Sequence, residues 1–412
     1  MREKINKERF GEMEDTADRI KQEIKCLEDL LQEMDLFEKG HKDSLGKYCL
    51  EYLRSKIGGK PLRAYFTRKM YDYLNVYPSC QAKFLEYENP DNLFLQKLPF
   101  IFEVVITIQY LENQILDEKR EVRKENRGKV NQNLISSNIL RELLFIYIDE
   151  ISTRYKKHTN QFHSLKKRLR QLLLVVDIGQ YVDKNHNTYK YWKEGVPNLK
   201  PTHWFDDVFQ ESVIGITKRV QEDVQGKANF IETYFRRIYL SNVYFFRCIT
   251  EVLVEIADYK DKYARPLYCF SVQYGFMLQL INDYADFAYS SDKREREILK
   301  TAGKKTSDIF ADLYNYNVTL PLIYHLNQKS NGKIEEYLEG GYKEKTTLKD
   351  YHEQIVQEIC GSNAINKTIS RSEELSEMAK KHLDQENKHT VLFIDMCNMA
   401  TNNKYYMFFK EY

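Results

Sequence analysis

Residues that interrupt helices are scarce in this sequence. The chain has 8 prolines and 16 glycines among its 412 residues. Proline lacks the amide donor that a helix needs, and glycine loses the most conformational freedom when it becomes ordered. Apolar residues recur every three or four positions, as Ile20, Ile24 and Leu27 do near the N-terminus, which is the pattern of an amphipathic helix. We see no convincing alternation of the kind that strands show, and we therefore predict an all-α fold.

The same spacing predicts where helices and loops lie. Apolar periodicity predicts helices over 14–37, 45–57, 62–77, 94–118, 134–151, 228–257 and 263–290, and over most of the chain beyond 297, with a turn at Gly340-Gly341. Polar stretches, with prolines or glycines in three of them, predict loops at 87–92, 118–129, 186–205 and 290–297.

The overall charge excludes some partners. The formal net charge is +2, so no strong global field attracts nucleic acid or an anionic membrane surface. The basic stretch at 154–170 is interpreted as a solvated helix face, because no aromatic interleaving or known nucleic-acid motif accompanies it. We predict that nucleic acid is not a partner.

Cysteine usage and the N-terminus indicate the compartment. The 7 cysteines are scattered without CxxC or Cys/His spacing, so neither a zinc site nor a disulfide framework is indicated. The first ten residues, MREKINKERF, are charged rather than typical of a signal peptide. No apolar stretch is judged to reach the ~18 residues of a membrane span. We therefore predict a cytoplasmic protein without a transmembrane segment.

Two polar clusters each follow a long apolar run. Asn113, Gln114 and Asp117 end one run, and Asn282-Asp283 with Asp286 end another. Positions i, i+1 and i+4 share one face of a helix. Two such faces opposed across a helical bundle would hold divalent cations through oxygen ligands, and the cations would hold a diphosphate.

A glycine pair precedes two basic residues in GGKPLRAYF, residues 58–66. Glycines let backbone amides approach an anion closely. Lys60 supplies a point charge and Arg63 a planar fork for phosphate oxygens. By itself the stretch is weak evidence, since a helix end followed by solvated charges has the same composition.

The order of these segments resembles that of the trans-polyprenyl diphosphate synthases, in the class I isoprenoid synthase superfamily. That family carries a GGKxxRP segment, a DDxxD motif, a GQ motif, a KT motif, a second DDxxD motif preceded by FQ, and a late GxDxxxGKxTLP stretch. The matching segments, spread over residues 55–326, are GGKPLRA, NQILD, GQYVD, LQLINDYAD and FADLYNYNVTLP.

The resemblance implies a fold, a cofactor and a set of site residues. The fold is an all-α, isoprenoid synthase-type helical bundle around a central cavity, and the cofactor is Mg²⁺. The implied residues are Asn113, Asp117, Asn282, Asp283 and Asp286 for metal, with the three aspartates also catalytic, and Lys60, Arg63, Arg123, Arg127, Gln180 and Gln279 for substrate. Three segments are expected: an N-terminal extension over 1–45, the core over 46–330, and a C-terminal helical segment over 331–412. A homodimer is implied as well.

The departures from the family pattern fall on its chemistry. Asn113-Gln114 and Asn282 replace aspartates, so each motif loses negative charge. Ser241-Asn242 replaces the KT pair, and Asn317 replaces the late lysine. Ile106 stands where the family has a His or Gln that helps to bind isopentenyl diphosphate. Neutral amide oxygens compensate the charge of Mg²⁺ less well than carboxylates do.

Three functions remain open from the sequence. The first is a terpene synthase-like enzyme that ionises an allylic prenyl diphosphate, whose cation is cyclised, eliminated or quenched. The second is a prenyltransferase that condenses the allylic diphosphate with isopentenyl diphosphate or another acceptor. The third is a non-catalytic, prenyl synthase-like subunit of a heteromer. We rank the two enzymes above the subunit, with a prenyl diphosphate as substrate.

Overall fold

The structure is a computed structural model. It describes residues 16, 18–29, 48–55, 61–89, 92–120, 127–154, 158–196, 203–259, 261–289, 310–328, 332–340, 351–403, 405 and 409. The chain forms two compact units, each assembled from separated segments. Unit 1 comprises Met1–Asp177, Cys248–Asp261 and Asn387–His389, and unit 2 comprises Ile178–Arg247, Lys262–Glu386 and Thr390–Tyr412.

Unit 1 is built mainly from helices before residue 178. They are α1 (18–29), α2 (48–55), α3 (Leu62–Leu74), α4 (Pro78–Leu85), α5 (Phe94–Arg120), α6 (Arg127–Arg154) and the first part of α7 (Thr159–His186). Two strands of two residues each, β1 (Glu88–Asn89) and β2 (Asn92–Leu93), pair antiparallel at the predicted loop over 87–92, and β2 ends one residue beyond it. Helix α5 packs against both α3 and α6, and its apolar residues supply much of the core.

Helix α5 is longer and more apolar than the sequence analysis allowed for any segment of the chain. Phe94–Ile115 has a mean hydropathy of 1.3 over 18 residues, so its length and composition would suffice for a membrane span. The sequence prediction that no apolar stretch reaches this length was wrong. However, 78% of that window is buried inside the protein, as is usual for the core helix of a globular unit.

Unit 2 contains the later helices. They are the end of α7, α8 (Tyr189–Glu194), α9 (Asp207–Asp223), α10 (Ala228–Ile238), most of α12 (Asp261–Ala285), α13 (Ala311–Tyr314), α14 (Leu320–Leu326), α15 (Lys333–Gly340), α16 (His352–Gly361), α17 (Ala364–Lys380) and α18 (Thr390–Thr401). Helix α11 (Tyr244–Ile256) follows a π-helical segment, Tyr239–Val243, and passes from unit 2 to unit 1.

The C-terminal helices are tied to earlier elements of unit 2. Arg371 of α17 donates to Asp223 Oδ2 at 3.0 Å and to the Tyr324 hydroxyl at 3.3 Å. Glu358 of α16 accepts the backbone N–H of Lys333 at 2.6 Å and contacts His325 Nε2 at 2.9 Å. These bonds join the four helices α14, α15, α16 and α17 to one another.

One close approach within unit 2 depends on a glycine. A Cβ on Gly179 of α7 would lie 2.7 Å from Ser241 Cα and would overlap the Ser241 backbone nitrogen. Only a residue without a side chain lets α7 and the π-helical segment touch along their backbones. The predicted GQ segment and the predicted KT position are therefore neighbours.

The all-α prediction is confirmed, with differences in detail. The predicted loop at 186–205 contains the short helix α8, and the predicted helix over 228–257 is divided by the π-helical segment. Helix α12 ends at Ala285 rather than at residue 290. The predicted division at residues 45 and 330 stays a prediction.

Candidate functional site

The first turn of α3 follows the glycine pair of the predicted phosphate segment. Gly58, Gly59 and Lys60 lie outside the described residues. The backbone N–H of Ala64 donates to Glu103 Oε1 of α5 at 2.9 Å, and Glu103 is only 4% exposed. Burial raises the pKa of Glu103, while the Ala64 N–H and the charge of Arg63 act to lower it. Glu103 therefore satisfies an otherwise unpaired helix-end amide beside Arg63.

The first polar motif sits in an amide network on α5. Gln114 Oε1 accepts from Asn133 Nδ2 at 3.3 Å, and Asn133 Oδ1 accepts from the Tyr48 hydroxyl at 2.8 Å. Asn113 is half-buried, and its Oδ1 has no hydrogen-bond partner among the residues that the structure describes. The side chain of Asp117 and those of Arg123 and Arg127 lie outside the described part of the chain.

An ion-pair network adjoins this motif within unit 1. Arg141 Nη2 donates to Glu112 Oε1 at 2.6 Å and to Asp177 Oδ2 at 2.9 Å. Burial, and then the charge of Asp177, raises the pKa of Glu112 to about 7. Arg141 links α5, α6 and α7, so this network has an evident role in holding the three helices together.

Asp283 of the second motif points into unit 2. Its side chain is 0% exposed. Its Oδ2 accepts from the Tyr234 hydroxyl, and its Oδ1 accepts from Gln279 Nε2 at 2.8 Å. Burial raises the pKa of Asp283 to about 6, against the lowering effect of Arg237. Both oxygens of this carboxyl group are therefore engaged by protein donors.

Asp286 of the same motif caps a short helix. Its Oδ1 accepts the backbone N–H of Ala311 at 3.1 Å, and its Oδ2 accepts that of Asp312 at 3.2 Å. It is 4% exposed. Asn282, the position where the family has its first aspartate, is instead exposed. The motif thus turns an amide outward and its two carboxyl groups inward.

A buried guanidinium stands among the carboxyl groups. Arg237 of α10 is 4% exposed and donates through Nη1 to Asp183 Oδ1 of α7 at 2.6 Å. Burial by itself lowers the pKa of Arg237, but Asp183 and Asp283 more than offset this and raise it. Asp312 has its pKa raised by burial and next by Asp183. We call the buried Asp283 and Arg237, together with the half-buried Asp183 and Asp312, the buried acidic cluster.

An amide of the late stretch contacts this cluster. Asn317, where the family has lysine, is 1% exposed and donates through Nδ2 to Asp312 Oδ1 at 3.4 Å. The chain here pairs with the end of α7 and the turn after it, since Val318 N–H donates to Asn187 O at 2.9 Å. Four parts of the chain therefore meet within unit 2: the GQYVD segment, α10, the second motif and the late stretch.

Two residues of the late stretch have an unusual backbone. Phe310 has φ = 57° and Tyr316 has φ = 58°. The family pattern GxDxxxGKxTLP places its two glycines at these positions. A positive φ is strained for large L-residues and free for glycine. The chain therefore keeps a glycine-type conformation where its sequence has lost glycine.

The residues present can be tested against a bound divalent ion. Mg²⁺ requires about six oxygens in near-octahedral geometry at ~2.1 Å. Asp283 and Asp286 have their oxygens in hydrogen bonds, and within the described ranges no three His, Cys, Asp or Glu side chains are placed to share an ion. With these oxygens engaged, the described part of the second motif offers no complete set of Mg²⁺ ligands, and the assignment of Asp283 and Asp286 as metal ligands stays a prediction.

The structure brings together some predicted residues and adds others. Gln279 and Asp283 bond to each other, Gln180 is 7% exposed on α7, and Arg63 is half-buried on α3. Sequence reasoning did not assign Tyr234, Arg237 or Asp312 to the site. Arg237 occurs on the stripe of Phe230, Ile231, Tyr234 and Ile238. A charge on an apolar stripe was the signal that could have found it.

Comparison with known proteins supports the fold. No protein-family model matches the chain, and no curated protein sequence matches it. A polyprenyl synthase from Caulobacter crescentus CB15, solved with calcium and isoprenyl diphosphate, is similar at a TM-score of 0.59 and 15% identity over 94% of this chain and 98% of that one. A decaprenyl diphosphate synthase from Rhodobacter capsulatus is similar at a TM-score of 0.58 and 15% identity, over 94% of this chain and 98% of that one. A heptaprenyl diphosphate synthase from Staphylococcus aureus is similar at a TM-score of 0.57 and 15% identity, over 95% of this chain and 98% of that one.

These likenesses cover nearly the whole of each chain. The protein therefore has the helical fold of the trans-polyprenyl diphosphate synthases, and the resemblance found in the sequence is confirmed at the level of fold.

Proposed function

We propose that the protein acts on an allylic prenyl diphosphate. In this proposal the bond between the allylic carbon and the diphosphate oxygen breaks, the diphosphate leaves with the electron pair, and the carbocation is cyclised, eliminated or quenched by water. The observation that carries the proposal is the backbone of the late stretch. The positive φ angles of Phe310 and Tyr316 support retention of the family's backbone beside the second motif.

The apolar character of one position favours ionisation without condensation. Ile106 of α5 is 3% exposed, and it replaces the polar residue that the resemblance associates with isopentenyl diphosphate. An isoleucine offers no hydrogen bond to a second diphosphate. Cyclisation, elimination or quenching needs no such partner.

The basic residues of unit 1 are proposed to hold the diphosphate. Arg63, Lys60 and either Arg123 or Arg127 provide charge-assisted donors. Glu103 fixes the backbone of Ala64 next to Arg63. A charge developing on the leaving group is best stabilised by donors that are already in place, because no reorganisation is then needed during the reaction.

The aromatic residues do not carry the proposal. Phe246 and Tyr274 form an edge-to-face pair with ring centroids 5.5 Å apart, and Phe276 lies 5.9 Å from Phe235. All four are at most 2% exposed, so they are interpreted as core. No step is assigned to a metal at Asp283 or Asp286, because the bonds of those groups do not fit one.

Two alternatives have observations of their own. A condensing prenyltransferase is favoured by the retention of Arg63 and Gln279, and its fold is that of the similar solved structures. A non-catalytic subunit is favoured by the engaged oxygens of Asp283 and Asp286 and by Ser241 and Asn317 in place of lysines. A homodimer, or a heteromer for the subunit, is part of these proposals.

One assay separates the three. The protein is incubated with geranyl, farnesyl or geranylgeranyl diphosphate, with and without Mg²⁺ and isopentenyl diphosphate, and diphosphate release and organic products are measured. We expect a hydrocarbon or alcohol without isopentenyl diphosphate. A product only with isopentenyl diphosphate would establish elongation, and no product in any mixture would contradict both enzyme proposals for these substrates and favour the subunit.

A matched pair of variants tests the diphosphate contacts. Arg63→Gln is expected to lower kcat/KM at least tenfold, because a charge-assisted bond to phosphate is worth about 1.5–3 kcal/mol. The control is Arg54→Gln, an exposed arginine paired with Glu28 on the surface, which should leave kcat/KM unchanged. Equal effects of both substitutions would contradict the assignment of Arg63.

A further inference from the structure

The buried acidic cluster raises a question of charge. Asp183, Asp283 and Asp312 lie around one guanidinium inside unit 2, and burying ionised carboxyl groups without a counter-charge is strongly unfavourable. The family to which the fold points uses divalent ions beside its second acidic motif. Here a protein side chain, Arg237, is already present where positive charge is needed.

We propose that Arg237 is the resident cation of the second motif and that Asp283 and Asp286 bind no divalent ion in this protein. The guanidinium is joined to Asp183 at 2.6 Å and interacts electrostatically with Asp283 and Asp312. It also lies over the ring of Tyr234, 5.1 Å from the centroid, and Tyr234 in turn donates to Asp283.

The oxygens of Asp283 supply the first support. Each oxygen of Asp283 already accepts a hydrogen bond, from the Tyr234 hydroxyl and from Gln279 Nε2. Asp283 and Tyr234 are both 0% exposed. A divalent ion with its water ligands could therefore reach Asp283 only if the side chains packed around it moved.

The oxygens of Asp286 supply the second observation in support of the proposal. Both accept backbone amides at the start of α13, and the Phe310 N–H donates to Asp286 O at 2.9 Å. These three bonds hold the turn at Phe310, whose φ is 57°. Asp286 therefore acts as a helix cap that holds the late stretch against α12.

The position of Arg237 supplies the third observation in support of the proposal. Ser241, where the family pattern has lysine, follows Arg237 by four residues in the same helical run. The positive charge absent at position 241 is thus present about one turn earlier, at a side chain that is 4% exposed. The guanidinium donates to Asp183 through Nη1, while its Nε and Nη2 have no hydrogen-bond partner among the described residues, so its influence on Asp283 and Asp312 is electrostatic.

The first test measures metal binding without turnover. Thermal unfolding of the full chain and of Asp283→Asn is followed in EDTA, in Mg²⁺, and in Mg²⁺ with inorganic diphosphate. We expect the Mg²⁺-dependent change in Tm to be equal in the two proteins, since Asp283 is not a ligand. A rise in Tm of the unmodified chain that Asp283→Asn abolishes would overturn the proposal.

The second test measures the counter-ion role. Arg237→Met is expected to lower Tm by leaving Asp183 unpaired, and Asp183→Asn in that background is expected to recover part of the loss. Asp183→Asn alone should lower Tm less than Arg237→Met does. Strictly additive effects would overturn the counter-ion role. If Arg237→Met does not fold, the comparison with Asp283→Asn above decides the proposal without it.

These outcomes are independent of the proposed function. Turnover of a prenyl diphosphate could be found or not found with either result, because the measured quantity is the effect of Mg²⁺ on unfolding. Failure of the inference appears as an Asp283-dependent metal response, whereas failure of the proposed function appears as the absence of products.

Discussion

The surroundings of Asp283 in the structure differ from those that its sequence motif suggests. In the sequence it stands in an acidic motif that suggests metal ligation. In the structure it is fully buried, accepts from Tyr234 and Gln279, and has a pKa raised to about 6, first by burial. A carboxyl group in this setting binds its proton more tightly in the folded than in the unfolded protein.

This shift predicts a pH dependence of stability. The folded pKa of Asp283 is about 6, above its ordinary value of 3.8, so the folded protein binds more protons than the unfolded one between these values. The contribution of Asp283 to stability therefore decreases as the pH rises through that window. Asp283→Asn should remove this decrease.

The measurement is Tm of both proteins at pH 5 and pH 7. The Tm of Asp283→Asn minus that of the unmodified chain should be more positive at pH 7 than at pH 5. A difference that is constant with pH would mean that the folded pKa of Asp283 is not raised.

Glu103 provides a second prediction for a single residue. Its Oε1 accepts the Ala64 N–H at the start of α3, and both residues are buried. Glu103→Leu should lower the free energy of unfolding by about 1–3 kcal/mol, because that N–H loses its acceptor. Glu103→Gln keeps an acceptor oxygen and should lose less. Denaturant unfolding measures both, and equal losses would show that the hydrogen bond is not the cause.

At the scale of elements, α7 and the π-helical segment approach each other along their backbones. The two backbones approach so closely that Gly179 cannot carry a side chain. The π-helical turn covers Ser241 and Asn242, the pair that replaces KT. Such turns interrupt helices at a cost and are frequent at functional sites.

Gly179→Ala should therefore be strongly destabilising. The added methyl group would overlap backbone atoms of Ser241, and overpacking of this kind costs typically about 1–3 kcal/mol. The control is Gly361→Ala at the end of α16, where an added Cβ meets nothing within 4 Å. We expect a clear fall in Tm for the first variant and no fall for the second. A similar Tm for both would contradict the close contact.

At the scale of the whole molecule, the fold persists although little of the sequence does. Identity to the similar structures is 15% over 94% of the chain. The segments NQILD and GQYVD lie on α5 and α7, and the departures from the family pattern fall on single side chains within the matching segments, such as Asn113 and Asn282. A fold is specified by the distribution of apolar residues, and a reaction by a few side chains, so the two can diverge.

The assembly is also open to measurement. The family resemblance implies a homodimer, so light scattering on the purified chain should give twice its 49.3 kDa. A mass of one chain would contradict the homodimer and would favour the interpretation as a subunit that requires another partner.

The sequence by itself determined the fold class, the order of the family segments and the places where they depart from the pattern. Periodicity and the scarcity of proline and glycine are local properties, and they suffice to predict helices. The sequence also identified Arg63, Gln180 and Gln279 as positions of interest, although their roles remain predictions.

Only the tertiary structure decided which groups meet. Arg237 and Asp183 lie 54 residues apart, and Tyr234 and Asp283 lie 49 apart. No local pattern states that these side chains bond to each other, because the pairing arises when α7, α10 and α12 pack together. Burial then raises the pKa of Asp283 and makes a counter-charge necessary, and both effects depend on the surroundings of a group rather than on its place in the chain.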